Sequence, residues 1–352
     1  MRNSDILVLK AEEVSSLLAN REHDLIEIVQ KAYETHAAGR SSLPHSTFLH
    51  FPHDSSSRII ALPAYLGGDF NTAGVKWVSS FPGNLNRGID RASAVIVLNS
   101  TTTGRLEAII EGSIINAKRT AAIAAVASRH LIQSKSDLTL GLLGCGPINF
   151  EIARFELAVH PQIARIVAYD VIPERANRFK EKCLDEFDEV RIDIVSDISD
   201  LLSMSTHVSL ATTAIKPHIH NLSSMAPGST ILNVSLRDLT PELILSCDNI
   251  VDDVDHVCRA QTSLHLAEQL TGDRDFIRCT LADILAGKAS ARRDRDSIAV
   301  FSPFGLGILD LAVGQFAHNL AMGQKCGVSI NSFLPAPWNV IYGDESVTPT
   351  SI

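Results

Sequence analysis

From residue 138 onward, short apolar runs alternate with helical patterns along the chain. The runs have the length and composition of buried strands and are LTLGLLG, IARIVAYD, VRIDIV, VSLATT, TILNVS, NIVDD and SIAVFSPFG. Between them, helices are predicted to end near residue 159, to span 174–188 and to begin at Pro241. Strands joined by helices form parallel sheets through right-handed crossovers. The sequence therefore predicts a parallel α/β domain from about residue 130 to 305.

The first of these strands ends in a glycine-rich turn. Gly144 and Gly146 supply G-x-G, and Asn149 takes the place of the third glycine of G-x-G-x-x-G. Such glycines let the backbone approach a pyrophosphate, which the N-terminus of the next helix also attracts. The next strand ends in Asp170, an acid suited to bind the adenosine ribose hydroxyls and to repel a 2′-phosphate.

This pattern indicates a Rossmann-type domain and predicts NAD as the cofactor. The predicted cofactor-binding residues in this domain are Gly144, Cys145, Gly146, Pro147, Ile148, Asp170, Thr212 and Ser235. A plain βαβ turn, with Asp170 as a helix cap, is the alternative interpretation of the same residues.

The first part of the chain has a different pattern. Residues 58–66, 74–80 and 92–100 predict strands that follow one another with only short polar turns between them. Successive strands of this kind form a mixed or antiparallel sheet. A further strand is predicted at 6–9, and the Ser-, His- and Pro-rich segment 40–57 is predicted to be a loop.

Helices complete this first part, and one more follows the α/β segment. They are predicted near 11–19, 22–38, 109–131 and 307–327. The expected fold class is α/β, in which the Rossmann-type domain of residues 130–305 is inserted into a discontinuous α+β domain. That second domain would contain residues 1–129 plus 306–352.

Composition excludes several function classes. The chain has 31 Lys plus Arg against 40 Asp plus Glu, a formal charge of −9, which argues against a nucleic-acid partner. No apolar run approaches the roughly 18 residues of a membrane span, and the N-terminus lacks the pattern of a signal peptide. The six cysteines are scattered, so we expect reduced thiols in a cytoplasmic protein.

Several segments together carry a family resemblance. RIIALP, GVKWVSS, ASAVIVLN, EGSIINAKRTAA, GLLGCG, AYD, NVSLRD and SPFGLGILD follow the order and spacing of the ornithine cyclodeaminase/mu-crystallin family, which the chain resembles from about residue 55 to 325. The resemblance implies an NAD-dependent homodimer that acts on the amine-bearing carbon of an amino-acid substrate. It also implies that the discontinuous domain binds substrate and forms the dimer.

The resemblance assigns roles to polar residues that interrupt apolar elements. It implies that Lys76 is catalytic and binds the substrate carboxylate, that Arg119 and Thr120 lie between substrate and cofactor, and that Asp238 is the catalytic acid–base. Residue chemistry alone leaves other interpretations open. Lys76 could be a strand lysine whose amine reaches solvent, Arg119 could form a surface ion pair, and Asp238 could be a helix cap.

A second group could supply cations for further carboxylates. His45, His50 and Arg58 lie where family members place carboxylate ligands, and Arg237 could meet a distal carboxylate. A substrate with two or three carboxylates needs several such cations. Each of these residues could also be a solvated loop side chain.

Within the family, RIIALPAYLGG and AGVKWVSSFPGN resemble the branch that oxidatively cleaves an N-substituted glutamate to 2,3-diaminopropionate and 2-oxoglutarate. Cyclodeaminases carry a glutamate where this chain has Ile60. The alternatives are an ornithine or lysine cyclodeaminase, an imine reductase, and a non-enzymatic binding protein like mu-crystallin. No metal site is predicted, because neither His218 with His220 nor the acidic run at 252–255 has a partner at ligand spacing.

Overall fold

The structure is a computed structural model that describes residues 4–133 and 138–336. Its strands, in chain order, are β1 (Ile6–Leu9), β2 (Ser41–Ser42), β3 (Thr47–Phe51), β4 (Asp54–Leu66), β5 (Thr72–Ser80), β6 (Ala92–Asn99), β7 (Leu106–Glu111), β8 (Leu138–Leu143), β9 (Ile163–Tyr169), β10 (Arg191–Ile194), β11 (His207–Leu210), β12 (Thr230–Asn233), β13 (Asp248–Val251), β14 (Ile277–Thr280), β15 (Ala299–Ser302) and β16 (Val328–Ile330).

Its helices, in chain order, are α1 (Ala11–Leu17), α2 (Glu22–Ala37), α3 (Ser113–Leu131), α4 (Pro147–Val159), α5 (Pro173–Glu186), α6 (Ile198–Met204), α7 (Pro241–Ser246), α8 (Val254–Val257), α9 (Ser263–Thr271), α10 (Leu281–Leu285) and α11 (Gly307–Gln324), with a 3₁₀ turn at Pro82–Arg87. The sequence also predicts a mobile polar tail after Pro337, which lies outside the described residues.

Two separate sheets divide these strands. The sheet of the first part has the order β16-β1-β7-β6-β5-β4-β2, with β3 paired to β4, and its pairs are antiparallel except for β1 with β7. The second sheet is parallel throughout, in the order β10-β9-β8-β11-β12-β15-β13-β14. From β8, the strands β9 and β10 are added on one side and β11 and β12 on the other, so the strand order reverses between β8 and β11. Ligands bind at this position in sheets of this kind.

The predicted fold class is confirmed, since a Rossmann-type parallel sheet lies between two parts of the mixed-sheet unit. The helix α11 follows β15 and packs on β4, β5 and β6, so the chain returns to the first sheet after completing the second. The domain boundaries at 129/130 and 305/306 stay a prediction.

Helix α3 connects the two units. It packs against α2 and α11 of the first unit and against α4 of the parallel-sheet unit. Its alanine-rich middle, from Ala121 to Ala127, is completely buried, because small side chains allow neighbouring helices to approach from several directions. The polar residues Lys118, Arg119 and Thr120, which precede this segment, are buried as well.

Two predictions of secondary structure are wrong. Segment 40–57 is not a loop, since it forms β2, β3 and the beginning of β4. Most of its side chains are exposed, so the hydrophobic alternation that marks a half-buried strand is missing.

The predicted helix over 109–131 begins only at Ser113, and the apolar residues before it belong to β7. A strand between two neighbours can be apolar on both faces, so it continues an apolar run without a change of period. Gly112 separates the two elements, and a Cβ there would lie 3.1 Å from the backbone of Ala94 on β6.

In the described part of the chain, no helix is long and apolar enough to cross a membrane.

Candidate active site

Lys76, Arg119 and Asp310 form a buried cluster at the meeting point of β5, α3 and α11. Lys76 Nζ lies 2.6 Å from Asp310 Oδ2, and Arg119 Nε lies 2.9 Å from Asp310 Oδ1. Asn116, one helical turn before Arg119, accepts hydrogen bonds from both cations through Oδ1, at 3.1 Å from Lys76 Nζ and 2.7 Å from Arg119 Nη2. The fold thus brings two of the predicted site residues into one hydrogen-bonded unit.

This cluster contains two cations for one carboxylate. Burial, together with the neighbouring Arg119, lowers the pKa of Lys76 to about 8, although Asp310 opposes the shift. A site with an excess positive charge inside the protein is suited to accept an anion, since a buried charge is stable only when it is paired. A carboxylate of a ligand would complete the pairing. The predicted substrate-binding roles of Lys76 and Arg119 stay predictions.

Asp238 forms a second buried centre, beyond the carboxyl end of β12. Its Oδ1 accepts hydrogen bonds from Thr212 Oγ1 at 2.5 Å and from His218 Nε2 at 2.9 Å, and its Oδ2 contacts the Ser235 hydroxyl. The Asp238 side chain is 0% exposed, whereas the His218 side chain is 35% exposed. His218 therefore connects the buried carboxylate to solvent. The N-cap residue of α7 is Thr240 and not Asp238.

The glycine turn has the backbone geometry that the sequence predicts. Gly144 has φ +96°, and a Cβ there would lie 2.5 Å from the carbonyl oxygen of Ala211, so only glycine fits. Asn149 replaces the third glycine with specific contacts, donating to the carbonyl oxygens of Leu143 and Gly144 and accepting from Ser209 Oγ. Asn149 therefore connects the turn to β11 through its hydrogen bond with Ser209, which a glycine at this position could not form.

The turn fits the pyrophosphate of a dinucleotide. A Cβ added at Gly146 would meet no heavy atom within 4 Å, which leaves open space at the N-terminus of the 13-residue helix α4. Pro147 and Ile148 form its first turn. Asp170 accepts the N–H of Cys145 at 2.9 Å and of Ile172 at 3.0 Å, so it braces the turn, and its ribose-binding role stays a prediction.

Not every residue predicted for the cofactor faces the turn. Thr212 and Ser235 contact Asp238, as described above, and Thr120 Oγ1 donates to the carbonyl oxygen of Asn116 at 2.6 Å. The thiol of Cys145 is buried, and burial with the nearby Asp170 raises its pKa to about 12. This thiol is therefore a packing group rather than a nucleophile.

A cationic cavity of about 500 Å³ adjoins these centres. Its lining residues are Ser46, Phe48, His50, Arg58, Arg237, His256, Arg259, Ala260, Gln261 and Phe304. Within residues 4–133 and 138–336, its three arginines form no ion pair with a carboxylate. Burial lowers the pKa of Arg58, and burial with Arg58 and Arg91 lowers that of Arg237, as expected for cations that face one another.

The structure therefore places three of the predicted carboxylate ligands, His50, Arg58 and Arg237, around one cavity. His45 lies beside it, with its ring centroid 5.2 Å from that of His256. The site also contains residues that the sequence did not predict for it, which are Asn116, Asp310, His218, His256 and Arg259. The acidic position in SPFGLGILD, inside an otherwise apolar helix, was the available signal for Asp310.

Comparison with known proteins adds to this geometry. The sequence model described as the ornithine cyclodeaminase/mu-crystallin family matches residues 4–325. The chain is 26% identical to the N-((2S)-2-amino-2-carboxyethyl)-L-glutamate dehydrogenase of Staphylococcus aureus, over 94% of this chain and 100% of that enzyme.

Two of the solved structures of similar fold are those of related enzymes with a bound nicotinamide cofactor. The Δ1-pyrroline-2-carboxylate reductase of Thermococcus litoralis, in complex with NADH and L-proline, has a TM-score of 0.86 and 26% identity, covering 92% of this chain and all of that one. An archaeal alanine dehydrogenase dimer with bound NAD has a TM-score of 0.82 and 25% identity, covering 93% and 99%.

Proposed function

The chain belongs to the ornithine cyclodeaminase/mu-crystallin family, and from this premise we propose that it oxidatively cleaves N-(2-amino-2-carboxyethyl)-L-glutamate to L-2,3-diaminopropionate and 2-oxoglutarate. At the coarser level it is an NAD-dependent oxidoreductase of amino acids, as its relatives are. The diaminopropionate product would serve the biosynthesis of a siderophore or another natural product.

The cationic cavity is the observation that supports this substrate best. The proposed substrate carries three carboxylates, and the Lys76–Arg119–Asp310 cluster can pair with one of them. The cavity arginines Arg58, Arg237 and Arg259 are available for the other two. A substrate with a single carboxylate would leave these cations unpaired in a partly buried site, which costs free energy.

The residues of the chain divide the proposed reaction between them. Residues of the glycine turn would hold NAD⁺, which when bound would supply the acceptor for the hydride of the glutamyl α-carbon. Lys76 and Arg119 bind the α-carboxylate and orient that carbon, which is a positioning contribution. Asp238 accepts the proton of the secondary amine, and the substrate becomes an imine.

Hydrolysis of the imine uses the same acid–base group. Asp238 removes a proton from water as the water oxygen adds to the imine carbon, and the carbinolamine then collapses to 2-oxoglutarate and the primary amine. His218 carries protons between Asp238 and solvent, because its imidazole contacts both. In sum, substrate, NAD⁺ and water give the two products, NADH and a proton.

We also propose that the enzyme is a cytoplasmic homodimer. Leu49, Tyr65 and Trp77 are exposed by 47%, 38% and 43%, and the strand register places all three on one face of the first sheet. An exposed apolar face of this kind is typical of a subunit interface. The alanine dehydrogenase of similar fold is a dimer, which supports the same proposal.

A spectrophotometric assay tests the proposed reaction. The purified chain with NAD⁺ is mixed with N-(2-amino-2-carboxyethyl)-L-glutamate, and separately with L-ornithine, while NADH absorbance and released ammonia are followed. We expect NADH to accumulate with the first substrate only. A flat NADH trace together with ammonia release from ornithine would instead establish a cyclodeaminase, in spite of Ile60.

A further inference from the structure

One end of the cationic cavity is formed by α8 and the turn that follows it. This turn carries Arg259, Ala260 and Gln261, and the last two have left-handed backbones, with φ of 52° and 55°. Non-glycine residues adopt this conformation only where the surrounding structure holds them. Here the carbonyl oxygen of Ala260 accepts a hydrogen bond of 2.7 Å from Arg237 Nη2, which joins the turn to the Asp238 segment.

His256 lies at this end with one ring nitrogen paired and the other unpaired. Its Nδ1 lies 2.9 Å from Asp253 Oδ1, and Asp253 Oδ2 lies 3.7 Å from His36 Nε2 on α2. His256 is only 7% exposed, yet its Nε2 has no hydrogen-bond partner in the described part of the chain. A buried polar atom of this kind usually has a partner, so a ligand is the expected one.

His256 lies near Arg119 of the Lys76–Arg119–Asp310 cluster, which is proposed to bind the α-carboxylate. Asp252 accepts the backbone N–H groups of Phe304 and Gly305, at 2.9 and 2.8 Å, and the Phe304 ring centroid lies 6.1 Å from that of His256. Gly305 lies directly against Arg119, since a Cβ added at Gly305 would be 2.5 Å from Arg119 Nη1. Phe304 and Gly305 are adjacent in the chain, and they therefore link the position of His256 to that of Arg119.

We propose that His256 and Arg259 form a second carboxylate subsite, which binds the side-chain carboxylate of the glutamyl half of the substrate. The subsite makes the enzyme selective for amino acids and oxo acids with two carboxylates on one short carbon chain. Arg259 supplies an exposed guanidinium with no ion-pair partner among the described residues, and His256 supplies a directed N–H donor. This inference rests on the proposed function, since it assumes an α-carboxylate at Lys76 and Arg119.

The charges around His256 favour its protonated form. Asp253, which is hydrogen-bonded to it, and Asp252 raise the pKa of His256, while burial and Arg259 lower it, and the net direction is upward. His36 faces the same Asp253, and the uncharged ring of Phe304 and the ring of His45 pack beside it. Because the imidazolium is lost as pH rises through this raised pKa, dicarboxylate binding should weaken in the same direction.

Calorimetric titration of the NADH-loaded enzyme tests the subsite without requiring turnover. The probes are 2-oxoglutarate and 2-oxovalerate, which have the same chain length but two carboxylates and one. For Arg259→Gln we expect a loss of about 10- to 100-fold in affinity for 2-oxoglutarate, typical of a lost charged hydrogen bond, and less than threefold for 2-oxovalerate. For His256→Gln we expect a similar loss at low pH that disappears as pH rises.

Arg295→Gln is the matched control, because Arg295 is exposed and lies outside the cavity. An equal loss for both probes in Arg259→Gln, or no loss for either, would overturn the subsite. The proposed reaction can fail separately. The enzyme could bind 2-oxoglutarate selectively through Arg259 and yet form no NADH from the N-substituted glutamate. That result would support the subsite and refute the proposed substrate.

Discussion

Asp310 and Asp238 are both completely buried, but they are stabilised by different kinds of partner. Asp310 accepts hydrogen bonds from two cations, Lys76 and Arg119, which come from β5 and α3. Asp238 is surrounded by the hydroxyls of Thr212 and Ser235 and by the imidazole of His218. The first carboxylate is paired with an ammonium and a guanidinium, whereas the second is held by two hydroxyls and an imidazole.

This difference is the one expected between a structural anion and the proposed acid–base group. A carboxylate paired with an arginine keeps its negative charge, because protonation would leave the cation unpaired. Hydroxyl groups can both donate and accept a hydrogen bond. Those of Thr212 and Ser235 can therefore rotate to accept a hydrogen bond from Asp238 when it is protonated. We therefore assign charge balance to Asp310 and proton transfer to Asp238, and three predictions test the contrast.

The largest expected effect is on turnover in Asp238→Asn. Asparagine keeps the size and one acceptor of the side chain but cannot take a proton, so kcat should fall by roughly 10²- to 10⁴-fold. NAD binding should be unchanged, because the glycine turn does not include Asp238. Steady-state NADH formation and a titration with NADH fluorescence measure the two quantities. A kcat within threefold of the wild type would refute the acid–base role.

Asp310→Asn should chiefly affect stability. Its loss leaves Lys76 and Arg119 buried without their counter-charge, and breaking a buried pair of this kind costs about 3–5 kcal/mol. Urea unfolding should show a lower midpoint for this variant than for Asp238→Asn. The double variant Lys76→Met with Asp310→Asn removes one cation as well, so we expect it to recover part of the loss. Equal stability of the two single variants would contradict the contrast.

The smallest expected effect is a pH dependence of substrate capture. The pKa of Lys76 is lowered to about 8, so its ammonium is present below that pH and is lost above it. If the ammonium binds the substrate carboxylate as proposed, kcat/KM should fall about tenfold per pH unit on the alkaline side. In Lys76→Arg this alkaline decline should move to higher pH, since a guanidinium keeps its charge. If kcat/KM declined at the same pH in the wild type and in Lys76→Arg, the decline would come from the titration of another group.

How far the sequence could predict the molecule differs between its two units. In the parallel-sheet unit, strand, glycine turn, helix and terminal acid are close in sequence, and the structure shows each of them where it was predicted. In the first unit, the sequence did not predict β2, β3, β7 or β16. β3 is mostly exposed and β7 is an apolar run directly before an apolar helix, so neither shows the alternation on which strand prediction depends.

The site shows the same limit at the level of single residues. Lys76, Arg119 and Asp238 stand out in the sequence because each is a charge next to or within an apolar element. Asp310 lies 234 residues from Lys76, and no spacing pattern connects the two. In the sequence, Asn149 only takes the place of the third glycine, but in the structure its side chain makes three hydrogen bonds that the folded turn provides.

By itself, the sequence determined the parallel-sheet unit, its glycine turn and the residue types of the chemistry, because these depend on local periodicity and on neighbouring residues. Only the tertiary structure decided which charges meet. It paired Lys76 and Arg119 with Asp310, surrounded Asp238 with hydroxyls, and gathered Arg58, Arg237 and Arg259 around one cavity. Electrostatic interactions depend on distance and burial in space, and neither can be read from positions along a chain.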